Sequence, residues 1–297
     1  MVGSNFIEHP AAAGHVLLSP GSKELDLRNF QEVHDWMVAH QPDVVVHAAG
    51  KVGGIQANLR EPVGFLVDNL DMGRNVVLAA HKAGVRRMLN LGSSCMYPRD
   101  AINPLMEEMV LKGELEPTNE GYALAKIAVA KLCEYISREA PDFQYKTLVP
   151  CNIYGRHDKF DPKHSHMVPA IIHKLHQAKL SETTSVDIWG DGLARREFMY
   201  AGDLADCMWR AIEQFESLPV LMNVGLGHDL TVNEYYGVAA AVVGYTGSFE
   251  HDLSKPVGMK QKLVSVQRSA DWGWRAGTSL RDGLQKTYQF YLQEQYQ

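Results

Sequence analysis

Cysteine is scarce, 4 in 297 residues, and Cys95, Cys133, Cys151 and Cys207 are too scattered to form a CxxC pair. That scatter fits a reduced, cytoplasmic setting rather than a disulfide framework. A basic excess is also missing: 29 Lys and Arg face 35 Asp and Glu, for a formal net charge of −6. General nucleic-acid binding needs clustered cations against phosphate, so no nucleic-acid partner is expected. No apolar run approaches a membrane-spanning length, and residues 1–14 lack the basic flank and apolar core of a secretion signal. Histidine is plentiful, but His157, His164 and His166 have no Cys or carboxylate at ligand spacing, so no metal site is expected.

What is present is ordinary for a globular protein: 45% hydrophobic and 22% charged residues, enough for one large core or two modest ones. Strand-like and helix-like stretches alternate through the first half. Residues 15–19 read as a short strand, 29–40 as an amphipathic helix, and DVVVHA (43–48) as a strand buried on both faces. A long helix over 61–83, a strand at 87–91, a helix at 122–139 and a strand at 145–149 follow. That order predicts a parallel sheet with right-handed crossovers. After Pro150 come loops rich in His, Lys, Asp and Pro, then helices near 168–178, 203–215, 232–243 and 280–294, with extended runs at 186–189 and 261–266.

Tyr122 and Lys126 lie four residues apart in EGYALAKIAVAKLCEYISREA (120–140), downstream of LNLGSSCMYP (89–98). Four residues make about one helical turn, so both side chains share a face. An ammonium beside a phenol favours the phenolate and lowers a pKa that is ordinarily about 10. A tyrosine tuned in this way passes a proton to or from a sugar oxygen near neutral pH, and a serine at the end of the preceding strand shares that oxygen. The motif sits on an alanine-rich helix, behind a strand-like run ending Gly-Ser-Ser-Cys and a βα alternation. The combination resembles the extended short-chain dehydrogenase/reductase superfamily. The resemblance implies a Ser93, Tyr122 and Lys126 triad on an α/β, Rossmann-type parallel sheet. It also implies a dinucleotide-binding domain of residues 1–158 with about 190–220. A smaller discontinuous α/β substrate domain would comprise about 159–189 with 221–297.

Such folds begin with a strand and a glycine-rich turn at the pyrophosphate. Here the chain begins MVGSNFIEHPAAAG. Gly3 looks like the last glycine of that turn, and the first strand and first two glycines are missing. The favoured expectation is an N-terminal truncation, because every downstream element is intact; the alternative is a natural form with impaired cofactor binding. The sheet is then expected to lack its first strand and to present unpaired edges. For the rest of the cofactor surface, Asp26 and Leu27 are expected at the adenine, Ala48 and Ala49 where the dinucleotide passes closely, and Asn69 on the next helix. Tyr122, Lys126 and His166 are expected to touch the cofactor too. Taken alone, Asp26 would cap the helix starting near Asn29 and the alanines would simply pack. Residues 19–23 (SPGSK) hold no arginine for a ribose 2′-phosphate, though Ser22 and Lys23 could substitute. The resemblance implies NADP, and NAD remains open. His47 receives no role.

Several stretches resemble the GDP-L-fucose synthase family more narrowly: KVGGIQAN (51–58), LGSSCMYP (91–98), EPTNEGYALAK (116–126), PCNIYGRHDKF (150–160), SHMVPAIIHKLH (165–176), WGDGLARREFMYAGDLAD (189–206) and NVGLG (223–227). The resemblance implies epimerisation at C3 and C5 of a GDP-4-keto-6-deoxy sugar, then hydride delivery from NADPH to C4, with Tyr122 protonating the alkoxide. Cys95 and His166 map onto the epimerising pair, and a thiol and an imidazole can trade protons near neutrality. Arg196 and Lys262 are implied at the diphosphate, Trp189 at guanine and Asn152 nearer the sugar. Lys174 is a further basic candidate. A homodimer through the helices over 61–83 and 122–139 is implied as well. Three alternatives stay open: a GDP-L-colitose synthase acting on a 3-deoxy keto sugar, another nucleotide-sugar epimerase or dehydratase, and a non-catalytic nucleotide-sugar-binding paralogue.

Overall fold

The computed structural model describes residues 1–161, 165–255 and 259–295. From the N-terminus, helices α1 (Val2–Ile7) and α2 (Phe30–His40) precede strand β1 (Val44–His47). Helices α3 (Ile55–Arg60) and α4 (Pro62–Lys82) lead to β2 (Arg87–Leu91), and α5 (Glu120–Glu139) leads to β3 (Gln144–Pro150) and β4 (Asn152–Tyr154). Next come α6 (Met167–Leu180), β5 (Ser185–Trp189), β6 (Arg195–Arg196), β7 (Phe198–Tyr200), α7 (Ala201–Glu213) and β8 (Leu221–Val224). The C-terminal stretch holds β9 (Leu230–Thr231), α8 (Val232–Val243), β10 (Ser248–Asp252), β11 (Gln261–Lys262), α9 (Gln267–Asp271) and α10 (Leu280–Gln295).

The main sheet runs β1-β2-β3-β8 with every pair parallel, a Rossmann-type arrangement. Its strands are short apolar runs joined by helices, and only a crossover lets successive strands point the same way. Two expectations need correction. Leu221–Val224, assigned from sequence to the substrate segment, is hydrogen-bonded to β3 in the main sheet, with Thr147 opposite Leu221 and Pro150 opposite Val224. Residues 15–19 form no strand, and Val16 is 91% exposed. A strand exists through a neighbour's backbone groups, and these residues have no ladder partner among the described residues. On its other side β1 pairs with nothing described, so the expected open edge is present.

Local chemistry explains the helix boundaries. Asn29 Oδ1 accepts from the Gln31 and Glu32 backbone N–H groups and caps α2, the role foreseen for Asp26. Thr231 and Glu234 cap α8 reciprocally, and Gly244, at φ 75°, ends it in the left-handed conformation. Helix α5 buries Ala123, Ile127, Ala130, Val129, Cys133 and Ile136, a helical repeat of apolar positions. It packs closely on α4 because position 73 is glycine; a Cβ there would collide with the Val129 side chain. Beyond the main sheet, β4 pairs with β7, β5 with β10, and β6 lies between β11 and β9. These small sheets and α6, α8 and α10 enclose a second apolar core around Tyr154, Ile172, Leu175 and Tyr291. No described helix is long and apolar enough to cross a membrane.

Candidate active site

The site grows from the end of β2. Ser93 starts a tight 3-10 turn (Ser94–Met96); its Oγ accepts from the Cys95 backbone N–H at 3.3 Å, while Met96 Sδ accepts from the Ser93 N–H at 3.5 Å. The Ser93 hydroxyl and Cys95 thiol therefore leave one rigid turn. The first turns of α5 bring in Tyr122, whose hydroxyl lies close enough to that of Ser93 for the serine to favour the phenolate. One turn further on, Lys126 Nζ donates to the Leu91 carbonyl at 2.9 Å and lies 5.9 Å from the Tyr122 ring centre. Ser93, Tyr122 and Lys126 thus come together at the end of β2.

The electrostatics run opposite to expectation. Burial pushes the Tyr122 phenol well above its ordinary range; the Cys95 sulfur adds to the rise and the Ser93 hydroxyl offsets only part of it. Lys126 does not acidify the phenol here. Its ammonium is aimed at the Leu91 carbonyl, and burial lowers its own pKa to about 8. His47, buried at the end of β1, is pushed down to about 3 by burial and then by Lys126, so its imidazole is neutral. Tyr122 is therefore set to give a proton rather than to take one.

Cys95 is half-buried, and two donors converge on its sulfur: Asn119 Nδ2 at 3.1 Å and Lys262 Nζ at 3.4 Å. The Lys262 contact differs from the diphosphate role implied by resemblance. Asn119, three residues before Tyr122 inside EPTNEGYALAK, escaped the sequence reading; an amide one helical turn from the tyrosine was the available signal. His166 is the N-cap residue of α6, and burial, then nearby Lys159, lowers its imidazole below the ordinary value. The preceding Ser165 carbonyl lies 3.4 Å from where a Cβ on Gly54 would stand, which sets His166 beside the KVGG loop. Helix α3, leaving that loop, packs on the turn carrying Asn119. Asn58 Oδ1, Asn119 Oδ1 and Ser165 Oγ are buried without a partner among the described residues. A polar ligand would satisfy such atoms.

The residues expected at the cofactor divide into those that line a surface and those that support it. Ala48 packs on the core and Ala49 is exposed. A Cβ on Gly50 would lie 3.1 Å from Asn69 Oδ1 and 3.9 Å from Lys126 Nζ, so this strand end is a shallow cradle beside the triad. Asn69 supports it instead of facing a ligand: its amide accepts from Lys51 N–H and donates to the Lys51 and Phe65 carbonyls. Asp26 makes a bidentate ion pair with Arg28, which lowers its carboxyl to about 2. Asn75 pins this turn to α4 by donating to the Leu27 and Arg28 carbonyls. Gly3 lies in the first turn of α1, with open space where a Cβ would be. The cradle of small residues beside Tyr122 and Lys126 fits the nicotinamide end of a dinucleotide.

On the substrate side, Arg196 and Lys262 are register partners across β6 and β11. Arg196 is half-buried, and Asn152 donates to the Glu197 carbonyl at 3.1 Å. Glu197, also missed from sequence, is fully buried; its carboxylate accepts from the N–H groups of Leu226 (2.6 Å), Gly227 (3.0 Å) and Val264 (2.9 Å). A charged residue opening the apolar run Phe198–Tyr200 was its signal. Lys174 pairs instead with Asp187, its Nζ 2.6 Å from Oδ1, and Trp189, two residues on at the end of β5, is exposed close to the same carboxylate. No cluster of metal ligands occurs among the described residues, and His164 lies outside them.

A Ser–Tyr–Lys group at the carboxyl end of a parallel Rossmann-type sheet defines a dinucleotide-dependent enzyme of the reductase–epimerase class. Residues 1–225 match the family described as NAD dependent epimerase/dehydratase. The chain is 51% identical over 294 residues to a GDP-L-colitose synthase of Yersinia pseudotuberculosis, covering 99% of this chain and 96% of that one. It is 49% identical over 292 residues to a GDP-L-fucose synthase of Azorhizobium caulinodans, covering 98% and 93%. Among solved structures, the GDP-mannoheptose C4 reductase MlghC of Campylobacter jejuni, with NADP bound, superposes with a TM-score of 0.88 at 29% identity, covering 98% of this chain and 95% of that one. The chain belongs to the NAD dependent epimerase/dehydratase family, and within it to the group holding these GDP-sugar synthases. It is an enzyme that works with a nicotinamide dinucleotide.

Proposed function

We propose that the protein epimerises GDP-4-keto-6-deoxy-mannose at C3 and C5 and then reduces C4 with NADPH, giving GDP-L-fucose. The observation that carries this reading is the rigid turn from which Ser93 and Cys95 both project, with Tyr122 beside Ser93. It puts a carbon acid/base group beside a pair of hydroxyls suited to one ketone oxygen. The Ser93 and Tyr122 hydroxyls hold the C4 carbonyl and draw electron density from it, which acidifies C3 and C5. Cys95 and His166 exchange protons with those carbons on opposite faces, His166 being kept neutral by burial. Ala48, Ala49, Gly50, Tyr122 and Lys126 would hold NADPH, which would supply the hydride for C4. Tyr122 then donates its proton to the new alkoxide, and its raised proton affinity keeps it protonated for that step. Arg196 faces the diphosphate in this reading. Incubation with the keto sugar and NADPH should yield NADP and GDP-L-fucose. Absence of NADPH oxidation with both this sugar and its 3-deoxy counterpart would sink the proposal.

Lys126 sets a pH limit. Its ammonium lies beside the Gly50 cradle, where its charge favours the bound cofactor, and burial makes that charge disappear above about pH 8. The kcat/KM for reduction should fall by about tenfold per pH unit above that point. A profile flat to pH 10 would remove the Lys126 charge from the mechanism.

The same reading makes the protein a cytoplasmic homodimer. Val63 and Val67 on α4, and Leu124 and Tyr135 on α5, are exposed apolar side chains in stripes along two helices that pack side by side. Sedimentation at micromolar concentration should return the dimer mass, and a monomer would overturn this assignment. For the two-domain division, β8 extends the dinucleotide-binding part to include Leu221–Val224.

A further inference from the structure

We propose that Lys262 is a positioning residue for Cys95, holding the sulfur in place and stabilising its anionic form during epimerisation, with Glu197 fixing the strand that carries it. The inference deepens the proposed function and rests on it for the identity of the substrate.

Three features converge. First, Lys262 Nζ and Asn119 Nδ2 approach Cys95 Sγ from different elements, at 3.4 and 3.1 Å, so the sulfur is gripped from two directions. Second, the Lys262 backbone is tied on several sides. β11 pairs with β6, Leu263 N–H donates to Asn103 Oδ1 at 2.8 Å, the Leu263 carbonyl accepts from Leu105 N–H at 2.8 Å, and Val264 N–H donates to Glu197 Oε2 at 2.9 Å. A strand so constrained fixes the Lys262 Cα from which the ammonium reaches the sulfur. Third, the same Glu197 carboxylate fastens the Leu226 and Gly227 N–H groups, and its backbone carbonyl holds Asn152, so a single buried residue fixes several walls of the site.

The chemistry needs such a cation. When a C–H bond at C3 or C5 breaks, its electron pair passes into the C4 carbonyl as an enolate and the proton goes to the base. When the carbon is reprotonated, the pair returns and a proton arrives from the acid on the opposite face. Whichever of these steps Cys95 performs, its sulfur is anionic on one side of the transfer, and that is when a nearby ammonium acts.

The test uses Lys262→Met and Lys262→Arg in the full chain. Without substrate, alkylation of Cys95 by iodoacetamide at neutral pH, mapped by mass spectrometry, should slow about tenfold in Lys262→Met, because the thiolate is the reacting form. Lys262→Arg should recover much of the rate. Cys95 is the half-exposed cysteine; Cys133, Cys151 and Cys207 are buried, so the readout is site-selective. With the keto sugar in D2O, deuterium uptake should fall about a hundredfold in Lys262→Met, while GDP affinity changes less than about twofold. Unchanged alkylation together with weakened GDP binding would overturn the proposal and return Lys262 to the diphosphate. If the unaltered protein turns over no keto sugar, the functional reading fails, whereas the alkylation comparison still decides the Lys262–Cys95 coupling.

Discussion

Tyr122→Phe is expected to lower kcat for ketone reduction by about a thousandfold, within the range assigned to a positioned general acid. In the proposed mechanism the phenol is the proton donor to the C4 oxygen, and burial raises its proton affinity. Ser93 stays in the variant and can still hold the ketone oxygen. As an aliphatic alcohol it can relay a proton to the alkoxide only slowly, which leaves a residual rate. The packing is nearly unchanged, so melting temperature and NADPH affinity should remain close to those of the parent. Deuterium uptake should fall less than reduction, because epimerisation needs a polarised carbonyl but no proton transfer from Tyr122. The decisive measurement is single-turnover NADPH oxidation beside deuterium incorporation. A loss below about tenfold in reduction would remove Tyr122 from the acid role.

Cys95→Ser is the second large effect, and it should separate the two halves of the reaction. An aliphatic hydroxyl is a far weaker acid than a thiol and does not exchange protons with carbon near neutrality, so epimerisation should slow by about a hundredfold to ten-thousandfold. Asn119 and Lys262 would donate to the serine oxygen in place of sulfur, preserving the turn. Ser93, Tyr122 and Lys126 are untouched, so the keto sugar should still be reduced, but without inversion. Nuclear magnetic resonance of the product should then show the original configuration at C3 and C5 and little deuterium at either carbon. Full deuterium uptake at the parent rate would show that another group does the carbon chemistry.

The sequence reading was most accurate where a feature depends on neighbours in the chain. The apolar runs at 43–48, 87–91 and 145–149 became β1, β2 and β3 within a residue or two. The spacing of Tyr122 and Lys126 put them on one face of α5 through helical geometry alone. The Ser-Ser-Cys stretch became the tight turn presenting Ser93 and Cys95. It was least accurate where a partner decides the outcome. Residues 15–19 have strand-like composition but no ladder, and Leu221–Val224 joined a strand distant in sequence.

Composition, periodicity and motif spacing by themselves determined the βα alternation, the placing of Tyr122 and Lys126 on one helix face and the family resemblance, because each depends on local geometry or residue identity. Only the tertiary structure decided the direction of the Tyr122 shift, the placement of Lys262 on Cys95 across 167 positions, and the burial of Glu197 beneath three backbone donors. Desolvation and long-range contacts depend on every group packed around a site, and no window of sequence contains that sum.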